Sequence, residues 1–113
     1  MQLETRVDHH GALVVLALGG EVDLATLPRL RDALVRLIDA HPATTIALDL
    51  DAVDVMDDSG FGVVLGAAAR ARDHDGELVL VCSGVRMLER LRTIRLDRAM
   101  TVYPTVTAAA VRS

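Results

Sequence analysis

Aliphatic runs alternate along this chain with stretches of longer period. Residues 12–19 (ALVVLALG), 44–53 (TTIALDLDAV) and 77–82 (ELVLVC) are nearly unbroken in Leu, Val, Ile and Ala. Runs of that length, bounded by turn residues, predict buried strands. Residues 2–8 (QLETRVD) alternate weakly and predict an edge strand, joined through the turn HHG to the run at 12–19 as a hairpin. MTVYP, residues 100–104, predicts a short last strand.

Between these runs the apolar positions recur at helical spacing. Leu24, Leu27, Leu30, Leu34, Leu37 and Ile38 define one face of a helix, with Asp32, Arg36 and Asp39 opposite. Asp23 or Thr26 caps it, Pro28 suits its first turn, and Pro42 ends it by disfavouring helix at His41. A second helix spans residues 61–76, with Phe61, Val64, Leu65 and Ala68 inward. Gly62, Gly66 and Ala67 are small enough to bring this helix close to a sheet, and Gly76 stops it. Residues 83–94 form a third helix, with Ser83 as N-cap and Val85, Leu88 and Leu91 inward. Residues 105–112 form a final short one.

The order β-β-α-β-α-β-α-β-α predicts an α/β fold in one domain, residues 1–113. Its sheet is mainly parallel, with four to five strands and an antiparallel edge, packed with about four helices. In such sheets functional residues gather at the carboxyl ends of strands. One such junction, VMDDSG at residues 55–60, sets Asp57, Asp58 and Ser59 side by side at the start of a helix.

Composition narrows the function. Of 113 residues, 51% are apolar, yet the aromatics are only Phe61 and Tyr103, so the core is aliphatic. The net charge is −4, and all 12 basic residues are arginine. They form no long run and no aromatic platform accompanies them, which argues against nucleic acid. Cys82, the one cysteine, lies in an apolar run and suits a reducing compartment. No stretch of about 18 apolar residues is present, and MQLETRV lacks the form of a signal peptide, so a cytoplasmic protein without membrane insertion is expected.

Several patterns suggest catalysis or ligand binding and lack the accompanying residues. Asp49 to Val53 (DLDAV) matches the D-x-D-x-[TV] pattern of haloacid-dehalogenase-like phosphatases, but those enzymes use a cation, usually lysine, and there is none here. Gly60 to Gly66 (GFGVVLG) approximates a dinucleotide fingerprint, with its third glycine one position late and two carboxylates where a pyrophosphate would approach. His9 and His10 would face opposite sides of a strand, and His41 and His74 have no ligand-like neighbours. Asp57 and Asp58 with Asp51 or Asp54 could in principle bind magnesium, but no nucleophile–base pair or substrate-binding cation lies nearby. No enzyme activity, cofactor or metal is expected.

Three segments carry a family resemblance: GEVDLATLPRLRDAL, LDLDAVDVMDDSGFGVVLG and GELVLVCSGVRMLERLRTIRLD. Together they resemble a STAS domain of the anti-sigma-factor antagonist type. The family's central loop reads D-S-S-G or D-S-T-G. The resemblance places Asp57 on the family Asp, Ser59 on the following Ser or Thr, and Gly60 on the Gly. It implies that Asp58 occupies the position of the serine phosphorylated by a partner that is both anti-sigma factor and serine kinase. Ser59 is the remaining candidate phosphoacceptor. The resemblance further implies a partner-binding surface of Glu21, Asp23, Asp57, Asp58, Ser59, Gly60 and Phe61, in a monomer or weak homodimer. The family also supplies non-phosphorylated subunits of other complexes, such as lipid-transport ATPases and stress-sensing assemblies, which is the alternative function.

Overall fold

A computed structural model describes residues 2–112. Its elements, in chain order, are β1 (Leu3–His10), β2 (Leu13–Val22), α1 (Leu27–Ala40), β3 (Thr45–Met56), α2 (Asp58–Asp73), β4 (Glu77–Val81), α3 (Val85–Thr93), α4 (Leu96–Ala99), β5 (Val102–Tyr103) and α5 (Val106–Arg112). The five strands form one sheet in the order 1-2-3-4-5. β1 and β2 are antiparallel, and every other pairing is parallel. The expected α/β architecture with one antiparallel edge is what the chain adopts, with five helices instead of about four.

Alternation along the strands divides the core. Val14, Leu16 and Leu18 of β2, Ile46, Leu48 and Leu50 of β3, and Leu78 and Leu80 of β4 face one side. They pack there on α1, α2, α3 and α4 through Leu30, Leu34, Val64, Leu91 and Leu96. The residues between them, Leu13, Val15, Ala47, Val79 and Val81, face the other side and meet Ala109 of α5. Period two in the strands thus sorts a nearly all-aliphatic sequence into two layers.

Several expected boundaries move. His9 and His10 belong to β1, and the hairpin turns over Gly11 and Ala12, where Gly11 takes φ 61°. β2 continues through the two glycines to Val22, and β3 continues to Met56. At Gly20 φ is +90°, and a Cβ would lie 2.3 Å from the Gln2 carbonyl oxygen, so only glycine lets the chain pass there. Leu24, Leu65 and Val85, expected inward, are exposed at 77%, 43% and 69%. Gly62 and Gly66 likewise face open space: a Cβ on either would meet no atom within 4 Å, so neither provides the close approach to the sheet. The close approaches are made instead by Gly60 and Gly76.

Helix ends are fixed in different ways. Thr26 is the N-cap of α1, but its hydroxyl is engaged behind the helix, accepting from the Asp23 N–H at 3.0 Å and donating to the Glu21 carbonyl at 2.9 Å. Gly84, not Ser83, is the N-cap of α3. At the far end of the molecule Arg70 of α2 grips Asp39 of α1 with two hydrogen bonds of 2.8 Å, and His74 adds a contact of 3.3 Å. The Arg70 guanidinium holds the Asp39 carboxyl below its usual range.

Candidate functional site

The site forms where β2 and β3 extend past β4. β4 pairs with β3 only as far as Asp49, whereas β2 and β3 remain paired to Val22 and Met56. Glu21 lies beside Val55, and Val22 beside Met56. The GEVD turn and the VMDDSG junction therefore share one edge. The backbone N–H of Asp57 donates to the Val22 carbonyl at 2.8 Å, which joins the two turns directly.

Local chemistry sets the start of α2. Asp57 is the N-cap, with extended backbone (φ −68°, ψ 152°), and its side chain makes no capping bond. Asp58 is therefore the first helical residue and not the cap. A carboxylate there still faces the positive end of the helix dipole, worth roughly 0.3–1 kcal/mol at an exposed position. Gly60 is buried, and a Cβ on it would stand 2.8 Å from Val22 Cγ1 and 3.1 Å from Met56 Cε. A side chain at 60 would push the helix off the strand ends that support it.

The sequence reading missed Arg90. This α3 residue lies 32 positions beyond Asp58, and its guanidinium donates to Asp58 Oδ1 at 2.8 Å. It also donates to the Met56 carbonyl oxygen. Its Cζ lies over the Phe61 ring, 4.8 Å from the centroid. Three successive parts of the junction, the end of β3, the first residue of α2 and the buried ring in its first turn, are thus held by one side chain. Cation–π contacts contribute on the order of 0.5–2 kcal/mol, and an exposed ion pair roughly 0.2–1 kcal/mol. A faint signal was available: Arg90 stands three residues from Met87, on the border of the apolar stripe, where arginines commonly lay their stems on apolar surface.

The residues assigned to a partner surface divide by exposure. Asp57, Asp58 and Ser59 are exposed, Glu21 and Asp23 are half-buried, and Gly60 and Phe61 are buried. Phe61, at 3% exposure, belongs to the core and supports Arg90 from beneath. Between the end of β3 and α3 runs an open groove of about 590 Å³, lined by Asp54, Val55, Val85, Arg86 and Arg90 among others. The DLDAV carboxylates are used structurally. Asp49 Oδ1 accepts from the Asp51 N–H at 3.0 Å, and Asp51 Oδ1 accepts from the Ser83 N–H at 2.7 Å and its hydroxyl at 3.1 Å. Cys82 is buried next to this link, and burial pushes its thiol pKa up.

No helix among the described residues is long and apolar enough to cross a membrane. The sequence model of the STAS domain matches residues 4–109. An anti-sigma F factor antagonist of Paenibacillus polymyxa is 30% identical over 104 residues, covering 91% of this chain and 88% of that protein. Among solved structures, an anti-sigma factor antagonist from Mycobacterium paratuberculosis superposes with a TM-score of 0.86 at 23% identity, covering 98% of this chain and 92% of the other. The Bacillus cell fate determinant SpoIIAA, in its phosphorylated form, gives 0.71 at 23% identity over 96% and 98%. This chain, with its paired turns at the ends of β2 and β3, belongs to the STAS domain family.

Proposed function

We propose that this protein is an anti-sigma-factor antagonist: it binds an anti-sigma factor through the β3–α2 junction and frees the sigma factor to direct transcription. The observation that carries this reading is the exposed acidic start of α2, Asp57 to Ser59, fastened to the neighbouring GEVD turn. In this reading the docking surface comprises Glu21, Asp23, Asp57, Asp58 and Ser59, with buried Gly60 and Phe61 fixing its shape. The likeness to the Paenibacillus antagonist supports it, as does the close fit to the mycobacterial one. The action takes place in the cytoplasm, and arginines on the partner would complement Glu21 and Asp23 of the GEVD turn.

Asp58 stands, in this reading, at the position of the regulatory phosphoserine. A phosphoserine carries about −1.5 to −2 charges and a carboxylate −1, so Asp58 is a partial, permanent substitute. A partner of the serine-kinase type would find no hydroxyl to phosphorylate at 58. Ser59, the second residue of α2, is exposed but displaced around the helix from that position.

Transcript profiling of the source organism tests the function. Raising the level of this chain is expected to induce a coherent set of genes under one sigma factor, and deleting its gene to lower them. An unchanged transcriptome in both strains contradicts the reading.

A further inference from the structure

We propose that Arg90 is the positioning residue of this site: it holds the anion at position 58 against α3, so the loop presents that charge already paired. The inference rests on the proposed reading of the junction as the docking loop. Its physical content is separate and comes from the geometry of one guanidinium.

Arg90 is suited to the task in three ways. Its planar fork reaches two acceptors at once, the Met56 carbonyl oxygen and Asp58 Oδ1, which a lysine ammonium on a flexible stem cannot match in orientation. Its position is set from below by the buried Phe61 ring. Its partner is accessible: the side chains of Arg90 and Asp58 are 38% and 87% exposed. The pair therefore lies at the surface, where a docking protein can reach it and compete for either member.

The consequence for regulation is specific. A bare carboxylate at 58 would repel an acidic contact or attract a basic one with its full charge. With Arg90 beside it, the Asp58 charge is offset while that of Asp57 remains, and the first turn of α2 is tied to the end of β3. Affinity for the partner is set by the Arg90–Asp58 pair, not by Asp58 alone. Removing Arg90 exposes the Asp58 charge and shifts the protein toward the behaviour of a phosphorylated antagonist.

The test is carboxylate labelling of the folded 113-residue chain with a carbodiimide and glycine amide, read residue by residue by mass spectrometry. Asp58 is expected to label severalfold faster in Arg90→Gln than in wild type, with Asp54 and Asp57 unchanged. Arg90→Lys is expected to restore slow labelling only in part. Equal labelling of Asp58 in wild type and Arg90→Gln overturns the assignment. If all three carboxylates rise together, the variant has loosened the fold, and Arg90→Met, which keeps the packed stem, decides by the same criterion. A second readout separates this inference from the functional reading. Against an anti-sigma factor retained by the chain, Arg90→Gln is expected to weaken binding about tenfold with Asp58 present and to have little effect in an Asp58→Ser background. Selective labelling without any retained anti-sigma factor would overturn the docking reading and leave the Arg90 assignment standing. Binding with equal labelling would overturn the Arg90 assignment alone.

Discussion

Arg90 and Phe61 form a stack at the base of the candidate site, with the guanidinium carbon 4.8 Å from the ring centroid and the ring itself buried. The ring joins the core to the surface charge pair above it. Phe61→Ala should lower stability by about 3–5 kcal/mol in urea unfolding, the range for removing a buried aromatic. It should also loosen Arg90, so that the Asp57 amide, which donates to the Val22 carbonyl, exchanges faster than in wild type. Unchanged stability would show that the stack is peripheral.

Glycines within one helix should respond in opposite senses. Gly60→Ala places a methyl against Val22 and Met56 and should cost about 1–3 kcal/mol through overpacking. Gly62→Ala and Gly66→Ala meet no neighbour and should each stabilise by up to about 1 kcal/mol through helix propensity. Thermal melts of the three single variants check this, and a destabilised Gly66→Ala would contradict the placement of that face.

The Asp39–Arg70 pair should appear in the acid limb of stability. The Asp39 carboxyl pKa is held below its ordinary value, chiefly by the hydrogen-bonded Arg70 guanidinium. The folded state therefore binds fewer protons there than the unfolded state. The pair's contribution is present above the unfolded-state pKa, about 3.9, and is lost as pH falls through the lower folded value. Asp39→Asn should be less stable than wild type at pH 6, with the gap closing below about pH 4. A gap that stays constant down to pH 2 would contradict the coupling.

Cys82 should be silent in the native protein. Its thiol is 1% exposed, and burial raises its pKa, so little thiolate forms near neutral pH. A disulfide reagent at pH 8 should label it only at the rate of unfolding, and rapid labelling of folded protein would contradict its burial.

The sequence made the strands legible because a core made almost wholly of aliphatic side chains leaves unbroken runs at β2, β3 and β4. It hid the ends of β2 and β3. Gly20 to Val22 and Asp54 to Met56 run beside each other beyond the edge of β4, where a glycine, a glutamate and an aspartate break the aliphatic runs. Leu24 precedes α1, in a turn closed by Asp23 and Thr26, and helical spacing could not exclude it from the apolar face. α4 has four residues, too few for a period to register. The acidic junction was visible as a motif, but Arg90, which holds it, is brought there by the β3–α2–β4–α3 path, and no local pattern encodes that distance.

The central claim is tested most directly by capture. The tagged chain, wild type and Asp58→Ser, would be incubated with lysate of the source organism, and the retained proteins identified by mass spectrometry. The account predicts that an anti-sigma factor is retained, more strongly by Asp58→Ser if its partner reads position 58 as a phosphoserine site. Retention of a transport ATPase or a stress-sensing assembly by both chains, with no anti-sigma factor in either, would contradict it.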